Sequence, residues 1–185
     1  MAKGDVQIRD PKALRALAHP ARLAILEYLG EHGPATATQC AKAARVSPAG
    51  CSYHLRLLAR YGLVEDAGGG DGRERPWRAR GYSFETRPNA GAAERAAAGV
   101  VLAHLIESGN RWERDFLANE ERLGPDWTEA AHFANKRLSL APSEAAELAE
   151  RIDALCDEYR LDSPAAGAED VTVLVRVIPR RVRRR

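Results

Sequence analysis

The chain has 185 residues, 45% hydrophobic but only 6% aromatic, enough to bury a core that must be aliphatic and alanine-rich. No apolar run approaches the roughly 20 residues of a membrane-spanning helix, and Met1–Asp10 lacks the apolar centre of a signal peptide, so a cytoplasmic protein is expected. The net charge of +2 hides a division: residues 1–88 hold 14 Lys and Arg against 9 Asp and Glu, residues 89–179 hold 9 against 17, and the last six residues add five Arg.

A basic front suits a polyanion and an acidic back suits solvent or protein. Cys40, Cys51 and Cys156 are widely spaced and form neither a CxxC nor a Cys/His cluster, which argues for buried apolar thiols over a disulfide framework or zinc site.

In chain order, Asp10-Pro11 is an N-cap followed by a first-turn proline, and predicts a short helix to about Ala18. His19-Pro20 interrupts it and starts a second helix carrying Leu23, Ile25, Leu26 and Leu29, closed by Gly30 and Gly33-Pro34. Thr36-Ala37-Thr38-Gln39 fits a capping box opening a third helix that ends near Ala44. Ser47-Pro48 opens a fourth that runs to Tyr61, with Gly62 as its stop and Cys51, Leu55 and Leu58 as its buried stripe. Two short helices separated by about three residues make a helix-turn-helix.

Leu63–Asp66 then predicts a strand, Gly68–Gly72 a turn and Arg73–Tyr82 the returning strand, a hairpin in the position of a wing. Residues 86–89 read as a linker. A long helical pattern follows from Gly91 to Glu121, with Gly109 a candidate kink, and Gly124-Pro125 breaks it. Trp127–Leu140 alternates enough to suggest a strand. Pro142–Tyr159 is an amphipathic helix with Ala145, Leu148, Ile152, Leu155 and Tyr159 on one face, and Val171–Ile178 reads as a final strand. The expected fold class is therefore α+β and mainly helical: a winged helix-turn-helix domain (10–85), then a long dimerisation helix and a small α/β module (91–179), then a basic tail (180–185).

Three motifs carry a family resemblance. Leu14–Leu26, with Ala18-His19-Pro20-Ala21-Arg22-Leu23 at its centre, resembles the opening of ArsR-type winged-helix repressors; Val46–Leu58 is similar to their recognition helix; and Tyr61-Gly62-Leu63-Val64 is similar to its exit into the wing. The resemblance covers residues 10–85 and implies a transcription regulator, a repressor, that binds operator DNA as a homodimer.

The residues agree with it. The major groove, about 12 Å wide, admits one helix. With Cys51, Leu55 and Leu58 inward, Ala49, Ser52, Tyr53, Arg56 and Arg60 face outward. Ser47, Pro48 and the helix N-terminus can meet a phosphate. Arg73, Arg75 and Arg78 arm the wing for the backbone or minor groove. The turn Pro48-Ala49-Gly50 departs from relatives that read bases with long polar side chains, which shifts weight to DNA shape and dimer spacing. His54, beside the buried stripe, is expected to pack.

A dimer matches half-sites about 34 Å apart, and Val101, Leu105, Trp112 and Phe116 on the long helix are expected to build its interface. No metal or cofactor is expected: Cys40 stands alone, His104 has no helical partner His, and His19, His32 and His132 follow no ligand spacing. GxSxG, P-loop and HExxH patterns are absent, so no enzyme is expected. The region around Trp112, Trp127 and Phe133 reads as packed core, with a sheltered small-molecule effector as the other reading. Two alternatives stay open: a ligand-responsive sensor using the C-terminal region, and a winged helix serving protein–protein assembly. The Arg tail is read as disordered, with transient phosphate contact as a further hypothesis.

Overall fold

The computed structural model describes residues 5–68, 75–84, 89–159, 167–169 and 171–179. The chain divides into two compact units, Asp5–Asn110 and Arg111 onward.

The first unit opens with strand β1 (Val6–Ile8), then packs four helices: α1 (Pro11–Leu17), α2 (Pro20–His32), α3 (Ala37–Ala43) and α4 (Pro48–Arg60). Each helix starts where its cap dictates. Asp10 accepts from Lys12 N at 2.8 Å and Ser47 from Gly50 N at 3.1 Å. Thr36 and Gln39 satisfy one another's backbone N–H in a capping box. The α2 cap is the His19 ring, whose Nδ1 accepts from Ala21 N at 3.2 Å.

Both ends of the helix-turn-helix close in the same geometry. After α3, Arg45 N donates to Lys42 O and Val46 N to Ala41 O; after α4, Gly62 N donates to Ala59 O and Leu63 N to Leu58 O. These are Schellman pairs, which require a left-handed residue. Gly62 (φ 72°) meets that requirement without strain, whereas Arg45 (φ 53°) meets it with a side chain.

Strands β2 (Val64–Asp66) and β3 (Trp77–Ala79) form the antiparallel wing hairpin, with Glu65 opposite Arg78, and Ala35 bridges to Trp77 at its base. The returning arm is shorter than the sequence predicts. After Ala79 the chain leaves the hairpin, and β4 (Tyr82–Phe84) pairs in parallel with β1, Val6 opposite Tyr82 and Ile8 opposite Phe84. Sequence reading found no strand in Met1–Asp10. Three residues with two apolar side chains carry too little period to signal one, and the pairing is set by an edge over seventy positions away.

Leu17, Ile25, Leu55, Leu58, Leu63, Cys40 and Cys51 are fully buried at the centre of this unit, with Val101 of helix α5 among them. Helix α5 (Ala92–Asn119) passes Gly109 without a break and ends in a 3-10 turn, Glu120–Arg122. Ala97, Val101, Leu105 and Ser108 line its inner face. The architecture is a mainly helical winged helix-turn-helix followed by a long helix.

In the second unit, two predicted strands are absent. Residues 125–130 form helix α6 (Pro125–Ala130), because Pro125 sits at the first helical position and Thr128 Oγ1 donates back to Gly124 O at 3.0 Å. Residues 131–141 are irregular, and so are 171–179 despite their valines. A strand needs a neighbour for its backbone groups, and among the described residues neither run has one. The α/β character expected of this region is thus not found there. Helix α7 (Pro142–Glu158) forms as predicted, with Glu144 accepting from Ala141 N at 2.6 Å. Ala145, Leu148 and Ile152 on its apolar face are half-buried, and Leu155 and Tyr159 are exposed. No described residue after Asn110 is fully buried.

Candidate nucleic-acid interface

The sequence pattern of α4 sets its orientation. Cys51, Leu55 and Leu58 are completely covered, while Pro48, Ala49, Tyr53, Arg56 and Arg60 are exposed. Positions 49, 53, 56 and 60 repeat at i, i+4, i+7 and i+11, so they form one continuous outer stripe on a helix about 20 Å long. Tyr53, 58% exposed, is the largest apolar surface on that stripe.

The polar groups at its start are partly engaged. Ser47 is exposed, but its Oγ accepts from Gly50 N as the helix cap. Ser52 is half-buried and its hydroxyl donates to Pro48 O at 2.9 Å, which leaves it as an acceptor to any outside group. A side chain at position 50 would stand 3.2 Å from Ser47 Oγ, so Gly50 keeps the cap uncrowded.

Of the three wing arginines expected to meet DNA, two are described. Arg78 is exposed across from Glu65. Arg75 pairs with Asp66, Nη1 to Oδ2 at 3.4 Å with both side chains well exposed, a contact that costs little to exchange for another anion. Gly68, left-handed at φ 74°, donates to Asp66 Oδ1 at 2.9 Å just after β2. Arg73 and the arginines of 180–185 lie outside the described residues.

Behind the stripe sits a group for which sequence reading yields an expectation for His54 alone, that it packs. The His54 ring lies 4.9 Å from the His19 ring and Tyr53 meets His54 edge-on at 5.6 Å. Arg22, on the first turn of α2, is only 9% exposed. Burial and then the charge of Arg22 pull the His19 pKa below its ordinary value; burial, then His19 and Arg22, do the same to His54. Burial also lowers Arg22. His19 stands three positions before Arg22 but His54 follows 32 positions later, and nothing in helical periodicity could show that α2 and α4 bring them together.

Of the residues expected at an interface between copies, Val101 is instead fully buried in the chain's own core and Leu105 packs against it. The outer face of α5 exposes Gly99, Val100, Leu102, Ala103 and Ile106. In the second unit Trp112 and Phe116 are half-buried, and the Phe116 ring lies 5.5 Å from that of an exposed Phe133, tilted at 55°, so the core packing expected there is open on one side.

Cys40 and Cys51 share a thiol–thiol hydrogen bond, which together with burial holds Cys40 far above the usual thiol range. Among the described residues no group of three His, Cys, Asp or Glu could hold a metal ion, and no helix is long and apolar enough to cross a membrane.

The family described as "Helix-turn-helix domain" matches residues 17–67, from the end of α1 to the first strand of the wing. No curated protein matches the chain. Similar solved structures include a transcriptional regulator homologue from Pyrococcus horikoshii OT3, at 23% identity over 52% of this chain and 87% of that one, TM-score 0.32. MepR of Staphylococcus aureus, a transcription regulator of a multidrug efflux pump, is 14% identical over 80% and 88%, TM-score 0.32. Lactococcus lactis ZitR in complex with DNA is 18% identical over 76% and 75%, TM-score 0.31. These chain-wide likenesses are slight; the helix-turn-helix match and the element order α1 to β3 carry the winged-helix assignment.

Proposed function

We propose that the chain is a cytoplasmic DNA-binding transcription regulator, a repressor of the ArsR type, that grips operator DNA as a homodimer through the recognition helix (47–61, α4 with its two caps) and the wing (63–82). The observation that carries this reading is the outer stripe of α4. A helix with one face sealed into the core leaves Ala49, Tyr53, Arg56 and Arg60 in a row at a width a major groove accepts. Arg56 and Arg60 offer forked donors to guanine or phosphate, Ala49 suits a thymine methyl, and Ser47, Pro48, Ser52 and Tyr53 border the backbone. Arg75 and Arg78 extend the positive surface, and Arg73 is the third wing arginine of this reading.

The homodimer is supported by surface that one chain leaves uncovered. Val100, Leu102, Ile106 and Leu117 on α5 and Phe133, Leu138, Leu140 and Leu155 beyond it are exposed, apolar side chains that association would remove from water. A second copy is the partner that also doubles the DNA contact. In this reading residues 10–85 bind DNA, 91–179 dimerise and would take any effector, and 180–185 are a basic tail.

Selection of bound duplexes from a random pool tests the proposal. The expected product is a pseudo-palindrome whose half-sites lie about 34 Å apart, with Arg56→Ala and Arg60→Ala each weakening binding and reducing its salt dependence. Recovery of no preferred duplex, with Arg56→Glu leaving all binding unchanged, would point to the protein–protein assembly alternative and end this one.

A further inference from the structure

Arg22 is buried without a counter-charge. Its Nε is sealed from solvent and has no hydrogen-bond partner, and so is Nδ1 of His54. His19 uses Nδ1 to cap α2, which fixes its other ring nitrogen, Nε2, as the N–H donor. The groups that act on this cluster are His19, Arg22, Tyr53 and His54 themselves; no carboxylate of α1, α2, α3 or α4 does. The first amides of α2 are spent internally, Ala21 on the His19 ring and Arg22 and Leu23 on the His19 carbonyl, so the side chains alone set the chemistry.

An arginine nine-tenths buried, with its Nε sealed and no carboxylate beside it, is costly, and two imidazoles beside it raise the cost whenever either is protonated. An anion removes all three penalties together. The anion must accept several N–H bonds and match a planar fork, which describes the two free oxygens of a phosphoryl group. Tyr53 marks where the cluster meets solvent: it touches His54 on one side and belongs to the outer stripe of α4 on the other. A helix lying in the major groove has a sugar–phosphate backbone along each flank.

We propose that His19, Arg22 and His54 form a phosphoryl-binding pocket at the α2–α4 junction, filled by one backbone phosphate of the bound duplex. The pocket rests on the DNA-binding reading above and adds three residues to it. Filling it converts repulsion among like charges into attraction to a shared anion, so both histidine pKa values rise on binding and DNA association takes up protons. Affinity for duplex therefore increases as pH falls from about 8 to 6, the range of the imidazole.

The test is a titration of the histidine ring protons by NMR, assigned with His19→Gln and His54→Gln, in the free chain, with a short duplex, and with excess inorganic phosphate. Duplex is expected to raise both pKa values. Arg22→Met is expected to weaken duplex binding about tenfold, the scale of one charge-assisted hydrogen bond, and to lower the salt slope by about 0.9. The same variant should raise Tm, because an apolar isostere relieves an uncompensated buried charge; a residue needed only for packing would lower it. His54→Gln, which keeps size and polarity, gives the second reading of affinity and proton uptake.

A rise with inorganic phosphate but none with bound duplex would overturn the backbone assignment in favour of a free anion. No rise with either, in a chain that binds duplex normally, would overturn the pocket while leaving the DNA-binding reading intact. If the chain binds no duplex, that reading fails first, and the phosphate titration alone decides whether the pocket holds an anion.

Discussion

The Ser108 hydroxyl donates to Glu27 Oε1 at 2.5 Å, joining α5 to α2 across 81 positions of sequence. Ser108 is 3% exposed, so the bond is shielded from competing water. A buried donor to a charged acceptor contributes about 1.5–3 kcal/mol, and Ser108→Ala is expected to lower unfolding stability by that amount in a denaturant titration. Ser108→Cys, close in shape but a poor donor, should lose most of it too.

The lowered pKa values of His19 and His54 give stability a pH dependence of known sign. Both groups bind protons less readily folded than unfolded, so the unfolded chain takes up more protons below about pH 6.5. Stability present above that pH is lost as pH falls through it. Tm measured from pH 8 to 5 should drop on the acid side, and the double variant His19→Gln, His54→Gln should flatten the curve. An equal drop in that variant would place the effect elsewhere.

Tyr82 acts at the other end of the scale. Burial, then the negative charge of Glu27, push its phenol up to about 12. The folded chain holds the neutral form longer than the unfolded one, so stability present below pH 10 is lost as pH rises through about 12. Tyr82→Phe is expected to remove this alkaline loss in Tm measurements while leaving the acid limb unchanged.

Gly62 closes the recognition helix at φ 72°, with no side chain to oppose the left-handed backbone. Gly62→Ala should cost about 1–2 kcal/mol, and because Leu63 N must still reach Leu58 O, the loss will appear in the α4–wing joint. Hydrogen exchange at Leu63 is the local check.

Thiol chemistry separates the cysteines. Cys40 and Cys51 are fully buried and Cys156 is partly exposed. One thiol should react with an aromatic disulfide reagent in the native state and three after denaturation. Rapid native reaction of all three would mean that α3 and α4 part far more readily than their packing implies.

Much of the first unit was legible because its signals are local. Asp10-Pro11, Thr36 with Gln39, and Ser47-Pro48 each specify a helix start through atoms within three residues, and Cys51, Leu55 and Leu58 specify which side of α4 is inside. The Arg45 turn was not legible, since its left-handed backbone is imposed by the flanking helices on a residue that does not favour it. The β1–β4 pairing and the His19–Arg22–His54 cluster depend on distant segments meeting, which no periodicity encodes. The valines of 171–178 misled for the opposite reason: alternation states that a segment could pair, and pairing needs a neighbour that the described residues do not supply.

The parallel pairing of Val6–Ile8 with Tyr82–Phe84 has a practical consequence for anyone cutting this chain into pieces. A fragment begun at Pro11, where the helical signals start, would strip Ile8 from the core and leave the Tyr82–Phe84 backbone bare along one side. Such an edge invites pairing with another molecule. A truncated product that clumps would then report a missing clasp rather than an unstable winged helix, and restoring six residues should cure it.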